Sequence, residues 1–368
     1  MPMPAQSDRA IFLIDAHLLD TLIAAVGLGV GTAALVHTRS QITAAQLAST
    51  VLASHGIETL LVEVDDQPGP ADAERVFDSL GAGWHLHHTG GPDGLAPLMI
   101  RAAAARACSA AQASMLDEDR RQLRFDDGTV VGLDDRRLGD RLRLRDVLQL
   151  AQLELKASVR RVPDRIPLIA AAAGVDNALR NGIHGPRELV NPEIVAQLPE
   201  PLAAAISADL DHAVEWFQFL DGFWLEELTL LAVERAAAGL GLSCEAHSGV
   251  KLGRGHQSIE LDVLALIRYR PHVLSCTLAT ATGTAHHKAY EADRRAWQIA
   301  GPAARPALVT RLTDPIEIAA VEGIFAEPLE SSHVTDLRVF TAADVNAWVQ
   351  ALSAGGRCTS LEAWLAEA

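Results

Sequence analysis

The chain has 368 residues, room for two domains and a connector, and 49% of them are hydrophobic, enough for large cores. Aromatic residues are only 4%, so those cores must be mostly Ala, Leu, Val and Ile; the four scattered cysteines form no Cys-x-x-Cys, which argues against a zinc ribbon or a disulfide framework. The net charge of −16 is a poor general match for phosphate, so any nucleic-acid chemistry must lean on local cations such as Arg268, Arg270, Arg294, Arg295, Arg305 and Arg311, and on a metal.

Residues 1–9 are polar and lack the basic-then-apolar order of a signal peptide. Residues 10–14 (Ala-Ile-Phe-Leu-Ile) read as a buried strand that ends in Asp15-Ala-His17. The apolar stretch 21–36 is Gly-rich and short for a membrane span, and reads as the end of a helix over 18–28 followed by a strand over 31–37. Thr38-Arg-Ser40-Gln41 follows, with Ser40 as the expected cap of a helix to residue 54. Further strands are expected at 57–64, 84–88 and 111–116, helices from 71 to 80 and to about 108, and a small hairpin at 122–125 and 129–131. Alternating strands and helices imply a parallel α/β sheet, whose ligands bind at the carboxyl ends of the strands. Three loops lie there: 15–17, 38–41 and 89–94. The last is Thr89-Gly90-Gly91-Pro-Asp-Gly, a turn before a helix whose free amides can cradle phosphate.

Residues 146–159 carry apolar Val147, Leu148, Leu150, Leu153 and Leu155 at helical spacing, and 168–179 is an Ala-rich helix. Prolines punctuate 182–200, so 141–205 is expected to be a helical connector. In the last part, 222–238 (Gly-Phe-Trp-Leu-Glu-Glu-Leu and onward) is a helix with Glu226 and Glu227 in its first turns. After a strand at 244–250 come two more, at 259–267 and 273–277, joined by a turn over 268–272 that contains Pro271. Glu260 and Asp262, two apart on the first strand, point to one face; two carboxylates there repel unless compensated, and Mg²⁺ or Mn²⁺ would compensate them. A polar strand face is the plainer reading. His247 and His256 are possible metal ligands, and His286-His287-Lys288 opens the next helix near the end of the second strand. A strand at 306–310, another at 336–340 and a capped helix from Thr341 that holds Trp348 complete the chain.

Two stretches resemble known families. The run 87–95, His-His-Thr-Gly-Gly-Pro-Asp-Gly-Leu, between strand and helix, is similar to the Thr-Gly-Gly loop of CARF domains, over about residues 10–140. The order Gly-x-Trp-Leu-Glu, Ile-Glu-Leu-Asp-Val, Leu-Ser-Cys-Thr resembles the PD-(D/E)xK nuclease half of CRISPR-associated effectors activated by cyclic oligoadenylate, over about 211–312. The resemblance implies an α/β chain of three parts: a Rossmann-like CARF sensor (1–140), the helical connector (141–205) and a restriction-endonuclease-like domain (206–368). It implies a cytoplasmic homodimer that holds cyclic oligoadenylate, expected as cyclic tetra-adenylate, through Asp15, His17, Thr38, Ser40, Gln41, Thr89, Gly90 and Gly91. It also implies a metal-dependent nuclease acting on DNA or RNA, with Glu226, Glu260 and Asp262 on Mg²⁺ or Mn²⁺. Two departures stand out. The family's acid and lysine on the second strand are replaced by Ser275 and Thr277, which leaves Lys288 as the stand-in cation; and Pro92-Asp93 follow the two glycines where a lysine is common. A sensor with a degenerate nuclease half, or a ring nuclease that degrades its own messenger, are the alternatives.

Overall fold

The computed structural model describes residues 8–106, 108, 112–117, 122–133, 138, 141–159, 165–255, 257–326 and 337–367. The chain divides into two compact units, residues 1–153 and 154–368.

In the first unit seven strands form one sheet in the order β3-β2-β1-β4-β5-β6-β7. β1 (Arg9–Leu13), β2 (Thr32–Thr38), β3 (Glu58–Val64), β4 (His85–His87) and β5 (Ala113–Asp117) run parallel. β6 (Gln122–Phe125) and β7 (Val130–Gly132) add an antiparallel hairpin. β1 is apolar on both faces because helices cover both, the pattern of a strand inside a parallel sheet. One face is filled by Ile11, Leu13, Val36, Phe77, Trp84, Leu86 and Met99. Successive strands leave β1 on one side toward β2 and β3, and on the other toward β4. The chain therefore changes direction at β1, and a crevice opens at the carboxyl ends of β1 and β4.

The second unit has a six-stranded mixed sheet, β13-β12-β11-β10-β9-β8. β8 (Glu154–Val159), β9 (Cys244–Arg254), β10 (Gln257–Ile267) and β11 (Arg270–Thr277) are antiparallel. β12 (Arg305–Thr310) and β13 (Arg338–Phe340) continue parallel to β11. The helix Trp224–Gly239 packs on one face, with Trp348, Trp364 and Phe340 in the same core. The helix Thr282–Ala300 covers the other face through Ala285, Ala289, Ala292 and Ala296, spaced at whole turns and all buried. Those small side chains let the helix lie close to the sheet.

Both units are α/β, as the sequence implies, and several elements fall where expected, including the Leu18–Leu28 helix and the helix begun by Thr341 with Asp344 in a capping box. Three expectations are corrected. The expected helix over 146–159 is a helix only over Leu144–Leu150; Gln152 takes a left-handed φ of 57° and residues 154–159 become β8. Its apolar spacing fits either state, and the open edge of β9 decides for a strand. The Ala-rich helix stops at Ala173 after Gly174 breaks it, and Asp176 caps a separate turn of helix by accepting from the Ala178 N–H at 2.7 Å. The turn between β10 and β11 is only Arg268-Tyr269, with φ 61° at Arg268, and Pro271 lies inside β11 opposite Leu266. Pro271 is tolerated because pairing with β12 begins only at His272, so its missing N–H falls outside that ladder.

His85 Nε2 and His87 Nδ1 both lie within hydrogen-bond distance of the buried Ser114 hydroxyl, at 2.7 and 3.1 Å. Burial, with neighbouring histidine rings, lowers the pKa of His85 to about 4 and of His87 to about 3. The fold therefore favours both rings neutral, and the unfolded chain binds more protons below its pKa of about 6.5. Stability is complete above that value and is lost as pH falls toward the folded pKa values. At pH 5 the loss should reach about 2 kcal/mol per ring. Thermal melts at pH 7.5 and pH 5 should show it, and His85→Gln with His87→Gln should flatten the dependence; an unchanged pH slope in the double variant would assign the effect elsewhere.

Candidate functional site

In the second unit, β10 pairs with β9 from Gln257 to Ile267, but with β11 only from Val263 onward. The two strands part just after the Val263–Leu274 pair, and Asp262 stands at the fork. Its Oδ2 accepts from the Cys276 backbone N–H at 2.6 Å and from the Ser275 hydroxyl at 3.0 Å, standing where a ladder bond would otherwise continue. Lys288 Nζ lies 3.8 Å from the same oxygen and 3.5 Å from Glu291. The alanine stripe that seats the Thr282–Ala300 helix on the sheet sets Lys288 at this height, beside Ala285 and Ala289 in the helix. Burial works against the Lys288 ammonium, but Asp262 and Glu291 more than offset it and raise its pKa.

Glu226 enters from the first turn of the helix on the opposite face. Burial, then Asp262, then Glu260 push its pKa up to about 8, against a smaller pull from Lys288. The neighbouring Glu227 is tied to Arg165, whose Nη1 donates to it at 3.1 Å. Burial raises the Glu227 pKa and Arg165 counters it. The two adjacent glutamates are thus divided: one is neutralised by an arginine, the other is left facing like charges. Glu260 lies toward solvent, with its Oε1 3.8 Å from Lys251 on β9. Opposite Asp262 on β9 stands Gly249 with φ 54°, a break in the pairing between the Leu261–Val250 and Val263–Ser248 pairs.

Asp262, Lys288 and Glu226 therefore share one field, which Glu260 also reaches while it lies beside Lys251. Carboxylates crowded together suit an oxygen-seeking divalent cation in kind, and Glu226 is raised first by burial and then by the acids around it. Among the described residues no three His, Cys, Asp or Glu side chains are gathered tightly enough to hold a metal as they stand. His247 sits 3.7 Å from Glu245, and His256 lies outside the described residues. Cys276 is no nucleophile: burial and Asp262 hold its thiol pKa far above the ordinary range, and its Sγ rests 3.5 Å from Thr229 Oγ1. The holding of Asp262 by Ser275 and by a backbone amide was not readable in advance, because it depends on where the two strands separate.

In the first unit all eight expected ligand residues gather at the carboxyl edge of three adjacent strands, β2, β1 and β4. Asp15 Oδ1 accepts from the His17 N–H at 2.6 Å. Thr38 and Gln41 close the next loop on themselves, with Gln41 Oε1 accepting from the Thr38 N–H at 3.1 Å. Ser40 is not the helix cap expected; its N–H and hydroxyl both donate to Asp66 Oδ1 at 3.2 Å, and chiefly that N–H holds the Asp66 pKa down. Thr89 Oγ1 accepts from the Leu116 N–H at 2.6 Å, which pins its loop to β5. Gly90 and Gly91 have φ of 80° and 95°. A Cβ on Gly90 would fall 2.6 Å from Asp15 Oδ2, and one on Gly91 would fall 2.6 Å from Leu13 Cβ. The two glycines thus let the β4 loop lie directly against the β1 loop. Asp93 is exposed.

No family model and no curated protein matches the sequence. Solved structures do. Can2 from Sulfobacillus thermosulfidooxidans, solved in complex with cyclic tetra-adenylate, matches with a TM-score of 0.67 at 14% identity, over 95% of this chain and 97% of that one. The chain has the fold of Can2. VC1899 from Vibrio cholerae matches with a TM-score of 0.69 at 14% identity, over 98% of each chain. A type III CRISPR defence DNA nuclease activated by cyclic oligoadenylate matches with a TM-score of 0.54 at 16% identity, over 84% of this chain but only 46% of that longer one. No helix among the described residues is long and apolar enough to cross a membrane.

Gly91→Ala should lower the melting temperature by several degrees, since a side chain there meets both left-handed strain and Leu13; about 1–3 kcal/mol is the usual cost of such strain. A melt indistinguishable from wild type would mean that the two loops are not packed as described.

Proposed function

We propose that this chain is a metal-dependent nuclease switched on by cyclic oligoadenylate. One observation carries the reading: Lys288 reaches Asp262 at the fork between β10 and β11, which supports the following helix as the source of the cation that β11 lacks at Thr277. Glu226 and Asp262 would hold Mg²⁺ or Mn²⁺, with Glu260 as the third carboxylate once it leaves Lys251. When bound, the cation supplies a more acidic water and positive charge against the phosphate. Asp262 keeps Oδ2 fixed by Ser275 and Cys276 and has Oδ1 for a ligand. Glu226, raised in pKa, gives up its proton as positive charge arrives. Lys288, still charged at neutral pH, orients the attacking water or offsets charge on the phosphate oxygens.

The loops at the carboxyl edge of β1, β2 and β4 are the proposed messenger site. Asp15, His17, Thr38, Ser40, Gln41, Thr89, Gly90 and Gly91 would contact cyclic oligoadenylate, with cyclic tetra-adenylate proposed because Can2 was solved with it. The ligand would lie across the axis of a homodimer. The likeness of fold to Can2 and to the DNA nuclease supports both parts of the reading. A second reading has its own support: Ser275 and Thr277 stand where an acid and a lysine are expected, which favours a sensor whose nuclease half works weakly.

Purified protein with Mn²⁺, cyclic tetra-adenylate, plasmid and labelled RNA separates the two. Cleavage of either substrate only with messenger present is expected; an inert protein under every metal tried would favour the sensor. Asp262→Ala should abolish cleavage and leave messenger binding unchanged by calorimetry. Lys288→Ala should slow cleavage on the order of 10²-fold, the scale for one preorganised charge-stabilising group. A fully active Lys288→Ala would remove the lysine from the mechanism.

A further inference from the structure

Three of the arginines that looked clustered in the sequence have separate partners. Arg305 stacks over Trp364, its Cζ 5.1 Å from the ring centroid, and Arg295 pairs with Glu291. Arg311 instead meets Arg180, which no local pattern singles out. Both guanidiniums lie over Trp224, with Cζ 5.3 Å (Arg180) and 5.9 Å (Arg311) from the ring centroid. Arg180 Nη2 donates to the Ala172 carbonyl at 2.6 Å and Arg311 Nη1 to the Ala173 carbonyl at 3.2 Å. These bonds use a small share of the five N–H donors that each guanidinium carries.

Several features of this group point to an anion. Among the described residues, no carboxylate lies within ion-pair distance of either arginine, in a chain whose acids outnumber its Lys and Arg by 47 to 31. Burial, then the like charge of Arg311, lowers the Arg180 pKa to about 10. Trp224 is 0% exposed and its indole Nε1 has no hydrogen-bond partner; Arg180 Nε is likewise buried without one. Unmet donors beside two uncompensated positive charges form a site that lacks only an acceptor.

The location fits the chemistry. Trp224 precedes Glu226 by two residues in the same helix, a rise of about 3 Å and a turn of about 200°, so the stacked arginines sit at the height of Glu226 but around the helix from it. Arg311 directly follows Thr310, which pairs with Thr277 at the end of β11, so it leaves the sheet at the edge where Ser275 and Cys276 hold Asp262. We propose that Arg180 and Arg311, stacked on Trp224, form a phosphate subsite that takes a backbone phosphodiester of the nucleic-acid strand next to the one being cleaved. This rests on the nuclease reading above. Guanidinium suits the role because its planar fork grips two phosphate oxygens while its face stays on the indole.

The test is binding without cleavage. Fluorescence anisotropy of a short fluorescein-labelled single-stranded DNA, in EDTA, with and without cyclic tetra-adenylate, is followed across a range of salt. Arg311→Gln and Arg180→Gln should each weaken binding several-fold and reduce the slope of log K against log salt by about 0.7, the share of one phosphate contact on a single strand. Arg311→Lys keeps the charge and should recover the slope. Arg180→Gln strips a cap from Ala172 and is checked by its melt; if it unfolds, the two Arg311 variants still decide. Wild-type affinity and slope in Arg311→Gln, or no DNA binding by the wild type, would overturn the subsite. So would an Arg311→Gln variant that loses cyclic tetra-adenylate but keeps DNA, since the phosphate recognised would then be the messenger's. A wild type that cleaves while the arginine variants bind normally sinks the subsite alone. A wild type that binds DNA through these arginines and never cleaves it sinks the nuclease reading and leaves the subsite standing.

Discussion

The second unit depends on where β10 and β11 separate. Beyond the Val263–Leu274 pair, an antiparallel ladder would leave backbone amides open, and a bare amide away from water is costly. Asp262 resolves this by turning its carboxylate into the gap and accepting from the Cys276 N–H and the Ser275 hydroxyl. The same side chain thereby ends the ladder and fixes a negative charge at the mouth of the fork. Everything else in the site is arranged about that charge: Lys288 is drawn to it from one face, and Glu226 is repelled by it from the other.

Charge is distributed unevenly around this point, and the unevenness is informative. Glu227, Glu291 and Glu260 each face a cation, in Arg165, Lys288 and Lys251 respectively. Glu226 faces mainly acids, and Arg180 and Arg311 face each other. A fold selected only for stability has little reason to leave Glu226 among acids and, in the same unit, two arginines stacked on one tryptophan without an acid partner among the described residues. A cation for the first and a phosphate for the second would complete both.

In the first unit the corresponding constraint is close approach of backbone. Gly90 and Gly91 are needed where the β4 loop lies on Asp15 and Leu13, so the loop's amides are held at the crevice between β1 and β4. Thr89 is fixed by Leu116 and Ser40 by Asp66, which leaves a shaped edge rather than a loose one. Asp66 brings an acid to that edge, so the loop of β2 offers phosphate less than its Thr-Arg-Ser-Gln composition suggests.

The sequence by itself determined the α/β character of both units, the strands β1 to β7 to within about two residues, and the two loops with glycine or hydroxyl residues at strand ends. These are legible because they rest on local periodicity and on turn chemistry, which act within a few residues. Lys288 was also legible, as the first cation after a strand that lacks one. Tertiary structure alone decided the rest. Residues 154–159 became a strand because β9 had a free edge, although their apolar spacing suits a helix equally. Glu260 went to Lys251 and not toward Asp262, because its place on β10 sets it beside β9. Ser275 became a holder of Asp262, and Arg180 met Arg311 across 131 positions of chain, through contacts that no local pattern encodes. Such contacts are settled by which strand edges are open and which faces must be buried, and those are properties of the assembled fold.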